Sequence, residues 1–126
     1  MVKVLIVDDS RAMRAFVRGA LRDLSGYETI EAASGFEALR MLPRDTYDVV
    51  ITDINMPDIN GLELIRFVRR SERHRSVPII IISTQSSTRD QERALGLGAD
   101  EFLPKPFTPE ELTRAVTGVL SDGEEA

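Results

Sequence analysis

The chain has 126 residues, 42% hydrophobic and 29% charged, with a formal net charge of −5, one histidine and no cysteine. That length holds one domain with a real core and is too short for two. The lack of cysteine excludes disulfide and thiolate chemistry, and mild acidity excludes a general attraction to nucleic acid or anionic membrane.

The chain opens with Val4-Leu5-Ile6-Val7 running into Asp8-Asp9, which reads as a buried strand over about 3–8. Met13, Phe16, Val17, Ala20, Leu21 and Leu24 then recur at helical spacing, predicting an amphipathic helix over about 11–24. Glu28-Thr29-Ile30-Glu31-Ala32 alternates and gives a half-exposed strand over about 28–32. Ser34-Gly35-Phe36-Glu37 reads as a capping box before a helix over about 36–42. Val49-Val50-Ile51 runs into Thr52-Asp53, a third strand over about 48–53, and Asn60-Gly61-Leu62-Glu63 starts a helix over about 61–71. Ile79-Ile80-Ile81-Ile82 ends at Ser83-Thr84, a strand over about 78–83, followed by a helix over about 88–96 whose exit turn suits Gly96 and Gly98. Phe102-Leu103-Pro104 runs into Lys105-Pro106, a last strand over about 101–105. Thr108-Pro109-Glu110-Glu111 supplies a Thr cap, Pro at N1 and Glu at N3 for a helix over about 109–120. Residues 1–121 are expected to form the domain, and 122–126 an acidic, frayed tail carrying no effector domain. No apolar run approaches the roughly 20 residues that span a bilayer, and the N-terminus enters a strand directly, so a cytoplasmic protein without a signal peptide is expected.

Five alternating strand–helix units imply an α/β fold with a parallel sheet between two helical layers and right-handed crossovers. The carboxylates after strand 1 can face Asp53 after strand 3 only if strand 1 is central. That favours the flavodoxin-like (βα)5 three-layer sandwich with sheet order 2-1-3-4-5, whose ligands sit at the carboxyl ends of the strands where strands 1 and 3 diverge.

The residues gathered at that edge suit a divalent metal and a phosphoryl group. Asp8, Asp9 and Asp53 repel one another unless a cation lies between them. Mg²⁺ fits: it takes one or two carboxylates, keeps several waters and bridges to phosphate oxygens. Asp9 and Asp53 are the expected direct ligands, Asp8 acts mainly through water, and a backbone carbonyl just after Asp53, that of Asn55, completes the set. Asp53 then doubles as a nucleophile that forms an acyl phosphate. Lys105 supplies a point charge and Ser83 a hydroxyl donor to the phosphoryl oxygens. Strand alternation lets only one of Ser83 and Thr84 face the site, and the offset from Asp53 favours Ser83. A cis Lys105-Pro106 bond in a tight turn would fix the direction of Lys105.

Asp8-Asp9, Asp53-Ile54-Asn55-Met56-Pro57 with Gly61, Ser83, Leu97-Gly98-Ala99-Asp100 and Lys105-Pro106-Phe107 stand together in an order and spacing that resembles the receiver domains of two-component response regulators. The closest look is to stand-alone receivers of the CheY type in chemotaxis, and the resemblance spans residues 2–120. It implies that Asp53 takes a phosphoryl group from the phosphohistidine of a histidine kinase, with Mg²⁺ on the acid pair and Lys105 on the phosphate. Ser83 then moves toward the phosphoryl group and Phe102 swings inward. A downstream target reads the altered surface of helix 4, strand 5 and helix 5, in chemotaxis or motility. Asn55 and Gln85 flank the path of the attacking water and tune the phosphoryl lifetime. Phe102 stands where chemotaxis members commonly carry Tyr. Ala115 and Thr117 stand where dimerising DNA-binding relatives place basic residues, so a monomer without nucleic-acid or membrane partners is expected, and no enzyme beyond its own phosphorylation and dephosphorylation.

Two other readings compete. A haloacid-dehalogenase-like hydrolase also uses Asp, Mg²⁺, a hydroxyl and Lys, but places its nucleophile in an Asp-x-Asp pattern after strand 1, where this chain has Asp8-Asp9-Ser10-Arg11. A degenerate receiver would be a phosphorylation-independent scaffold, against which the complete acid set argues. Arg66, Arg69, Arg70, Arg73, His74 and Arg75 read as a solvated basic face, with docking of an anionic partner as the alternative. His74 is expected in a polar loop.

Overall fold

The computed structural model describes residues 1–84 and 88–125, with side chains through residue 121. Strands β1 (Val2–Val7), β2 (Tyr27–Ala32), β3 (Val49–Asp53), β4 (Ile79–Ser83) and β5 (Glu101–Pro104) pair in parallel in the order 2-1-3-4-5. Helices α1 (Arg11–Arg22), α2 (Gly35–Met41), α3 (Gly61–Arg70), α4 (Thr88–Leu97) and α5 (Pro109–Glu125) alternate with them, and a 3₁₀ turn, Leu42–Arg44, extends α2. This is the flavodoxin-like arrangement that the strand–helix alternation predicts.

The unbroken apolar runs follow from helices covering both faces of the sheet. Leu5, Val7, Val50, Ile79 and Ile81 point to one side and pack with Leu64, Ile65 and Val68 of α3. Val4, Ile6, Val49, Ile51, Ile80 and Ile82 point to the other and pack with Val17 and Leu21 of α1 and Leu112 and Val116 of α5. Each such side chain contributes about 1.5–3 kcal/mol when fully buried. β2 is an edge strand and largely half-buried, which explains its alternation.

The helix starts are built from capping bonds. Asn60 and Glu63 exchange both bonds of a capping box at α3 (2.9 and 3.3 Å), and Thr108 and Glu111 do so at α5 (3.1 and 3.2 Å). At α2, Ser34 Oγ accepts from Glu37 N–H, and Asp58 of the β3–α3 loop accepts from Phe36 N–H at 2.9 Å.

Four expectations need correction. Phe16 lies at the margin of the α1 apolar face, 40% exposed and edge-on to Phe107, because helix periodicity does not say where the covering helix ends. Gly98 alone takes the left-handed exit from α4, at φ +116°, while Gly96 remains in the helix. The α5 backbone continues to Glu125, past the end expected near residue 120, because apolar periodicity marks a face of the helix and not the end of its ladder. Finally, the basic stretch is not one solvated face: Arg66, Arg70, Arg73 and Arg75 are exposed, but Arg69 is half-buried and His74 is buried. His74 Nε2 accepts from Tyr47 N–H at 3.2 Å, and its ring lies against Tyr47. Among the described residues, no helix is long and apolar enough to cross a membrane.

Candidate functional site

Parallel pairing brings the strand ends to one edge, and the register aligns them. Val7 lies beside Thr52, Asp53 beside Ile82 and Ser83 beside Pro104. The next residue on either side of β3 and β4 therefore enters the same cleft: Asp8 after β1 and Lys105 after β5. The Lys105 peptide N–H donates to the Ser83 carbonyl at 2.8 Å, tying the end of β5 to β4. The Lys105–Pro106 bond is cis.

Two acids in tandem would diverge from an extended strand, so the chain must turn between them. It does so at once: Ser10 N–H donates to Asp8 Oδ1 at 2.8 Å, and Ser10 Oγ caps α1 by accepting from Met13 N–H at 3.1 Å. Asp8 is buried and Asp9 exposed, yet one carboxylate oxygen each from Asp8, Asp9 and Asp53 lies within 4.8 Å of the other two. Asp53 is 7% exposed. Its position depends on Gly61, because a Cβ there would lie 2.3 Å from the Asp53 carbonyl oxygen. Gly61 N–H also donates to the Ile54 carbonyl at 2.8 Å, closing the loop that carries Asn55. A second glycine braces that loop: a Cβ on Gly35 would lie 2.5 Å from the Ile59 carbonyl oxygen.

Lys105 Nζ donates to Asp8 Oδ2 at 3.1 Å and to Asp53 Oδ2 at 3.3 Å. One ammonium thus serves two buried carboxylates, with a third beside them. Burial pushes the Asp53 carboxyl above the usual carboxylate range; Lys105 opposes this, and the Asp8 charge adds to it. A cluster of hard oxygen donors, short of positive charge and open to water on the Asp9 side, fits Mg²⁺. The Asn55 peptide N–H donates weakly to Asp53 Oδ1 at 3.4 Å, and the Asn55 side chain is exposed.

Of the two candidate hydroxyls, Ser83 is buried at the end of β4 and Thr84 is exposed beyond it. Phe102 is half-buried against the core shared by α2, α3 and α4. Gln85 lies outside the described residues. Sequence reasoning missed Arg14, which donates to the main-chain carbonyl of Asp8, and Asp58, which ties the Asn55 loop to α2. The signal for Arg14 was Arg14 and Arg18 one helical turn apart, with the acidic Glu31 on the next strand.

Comparison with known proteins agrees with this geometry. The response regulator receiver domain family matches residues 4–117. A chemotaxis protein CheY homolog of Campylobacter jejuni is 37% identical over 97% of this chain and 95% of its own length. CheY1 of Helicobacter pylori is 38% identical over 94% of this chain and 97% of its own. Among solved structures, the chemotaxis response regulator CheY4 of Vibrio cholerae superposes with a TM-score of 0.89 at 39% identity, covering 95% of this chain and 99% of that one. The receiver domain of the sensor histidine kinase PA1611 from Pseudomonas aeruginosa, solved with a magnesium ion in its active site cleft, superposes with a TM-score of 0.86 at 31% identity, covering 95% and 98%. Likeness that runs through sequence, strand order and nearly the full length of both partners leaves one conclusion: the chain belongs to the response regulator receiver domain family and is of the CheY type.

Proposed function

We propose that this protein is a phospho-accepting signalling switch of a two-component system, with Asp53 as acceptor and a histidine kinase phosphohistidine as donor, acting in chemotaxis or motility. The observation that carries this reading is the convergence of the Asp8, Asp9 and Asp53 carboxylates, with oxygens within 4.8 Å of one another, around a single lysine. Asp9 and Asp53 would hold Mg²⁺ directly, Asp8 through water and Asn55 through its carbonyl. Bound there, the ion would neutralise charge between the carboxylates and on the phosphoryl oxygens.

The chain's own groups do the rest. An Asp53 carboxylate oxygen attacks phosphorus; the new O–P bond forms as the P–N bond to the imidazole breaks, and the leaving nitrogen keeps the electron pair. Lys105 leaves its contacts with Asp8 and Asp53 to meet a phosphoryl oxygen, and the Ser83 hydroxyl donates to another. No separate general base is needed, because Asp53 attacks as an anion. Movement of Ser83 and Phe102 then changes the α4–β5–α5 surface that a target protein binds. Asn55 and Gln85 govern the lifetime of the acyl phosphate. The chain acts as a cytoplasmic monomer, and the chemotaxis proteins among its relatives support the pathway.

The test is incubation with acetyl phosphate, with and without Mg²⁺, beside Asp53→Asn, read by intact mass. One Mg²⁺-dependent phosphoryl group that the variant lacks is the expected result. No adduct, with Mg²⁺ binding shown separately, would point instead to a scaffold, and steady turnover of a phosphate ester to a hydrolase.

A further inference from the structure

Beneath the acid cluster lies a second set of charges that the reaction does not use. The Arg14 side chain, on α1, is only 14% exposed. Its Nη1 donates to the main-chain carbonyl of Asp8 at 2.6 Å, and its Nε to Glu31 Oε1 at 3.0 Å. Glu31 lies on β2, opposite Ile6 in the register, and its other oxygen accepts from Arg18 Nη1. A helix and an edge strand thus grip one backbone oxygen between them.

That oxygen is a sensitive point. The Asp8 carbonyl and the Asp9 N–H belong to one rigid peptide plane. Holding the carbonyl restrains the plane, and with it the place of the Asp9 Cα from which the side chain leaves the backbone. Asp9 is exposed, and among the described residues no hydrogen bond holds its carboxylate. The bond from Ser10 to Asp8 Oδ1 orients the Asp8 side chain, and the bond from Arg14 orients the peptide that follows.

We infer that Arg14, oriented by Glu31, is a positioning residue for metal binding, which holds the Asp8–Asp9 peptide so that the Asp9 carboxylate stays with those of Asp8 and Asp53. The inference rests on the metal site proposed above. It makes a prediction opposite in sign to that of simple electrostatics. As a mere nearby cation, Arg14 repels Mg²⁺, and its removal tightens binding. As a clamp on the peptide, its removal loosens binding even though a positive charge is lost. Outer-shell partners of metal ligands typically matter by 10- to 100-fold in affinity.

The experiment is calorimetric titration of the full chain with MgCl₂. Arg14→Met is expected to weaken Mg²⁺ binding about tenfold, Arg14→Lys to recover part of the loss, and Glu31→Gln, which keeps the acceptor oxygen and loses the charge, to cost about threefold. A metal-free readout accompanies it: the Ser10 amide should exchange with deuterium faster in Arg14→Met, while the amides of β4 keep wild-type protection. If Arg14→Met does not fold, Arg14→Lys carries the same test, because it keeps the charge, so that simple electrostatics predicts no change, and loses the fork that joins Glu31 to the Asp8 carbonyl. Unchanged or tighter Mg²⁺ binding in the variants, with the wild type binding, overturns the inference alone. Absence of Mg²⁺ binding by the wild type overturns the metal site as well.

Discussion

At the N-terminal edge of the sheet, Arg69 donates to the carbonyls of Gly98 and Val77 at 2.7 Å each, to that of Arg75 at 3.1 Å and to Asp100 at 3.0 Å, while Asp100 also accepts from Ile79 N–H. Lys3 pairs with Asp45 at the same edge. At the opposite edge, three carboxylates share one lysine. Both ends need polar groups, because strands and helices all terminate there with backbone groups unsatisfied. One end closes its hydrogen bonds within the protein and becomes a brace. The other leaves a deficit of positive charge that an ion and a phosphoryl group can fill, and becomes a site.

The sharpest way to break this contrast is at the brace. Arg69→Ala strips the carbonyls of Gly98 and Val77 of their donor and should lower stability in urea by about 3 kcal/mol, with Mg²⁺ binding retained. A loss near zero would mean that the two ends do not differ as described. Next comes the ion itself: at about 100 times its dissociation constant, Mg²⁺ should raise wild-type stability by about 2.7 kcal/mol, and much less in Asp9→Asn, as thermal melts would show.

His74 is the exception within the brace, since its buried Nδ1 has no hydrogen-bond partner among the described residues. Burial, and then the charge of Arg73, hold its pKa below the usual imidazole value. The unfolded chain therefore takes the proton first. The stability linked to His74 is whole above about pH 6.5 and declines below it, by at most about 1.4 kcal/mol per pH unit. Urea titrations between pH 7.5 and 5 should show this slope, and His74→Phe should flatten it. The smallest effect has the opposite sign. Asp53 is pushed above the usual carboxylate range, so the stability it lends is whole at low pH and is lost as the pH rises through its folded value. Asp53→Asn should raise metal-free stability in urea above that pH; a loss would show that the acid end is not short of positive charge.

Much of this was legible in the chain. Val4–Val7, Val49–Ile51 and Ile79–Ile82 could hardly be anything but central parallel strands, and parallel strands send Asp8, Asp53, Ser83 and Lys105 to one edge by geometry alone. The helix starts at Asn60 and Thr108 were equally plain, because a capping box writes both partners within three residues of each other. What stayed hidden depended on distant neighbours. His74 is buried by Tyr47, 27 residues away, and nothing around it in the sequence says so. Arg69 reads as one more surface arginine because its partners are mainly carbonyl oxygens, which every residue has. The bond of Arg14 to the Asp8 carbonyl is silent for the same reason, although its charge pairing with Glu31 is not.

α4 joins the sheet by a single fully buried side chain, Ala94, with Leu95 47% exposed. Packing therefore imposes few demands on the rest of its sequence. Duplicated copies of such a gene could drift apart along this helix without losing the ability to fold. α4 is where the fold leaves room for an address, by which sibling proteins sharing one cell and one chemistry could be told apart.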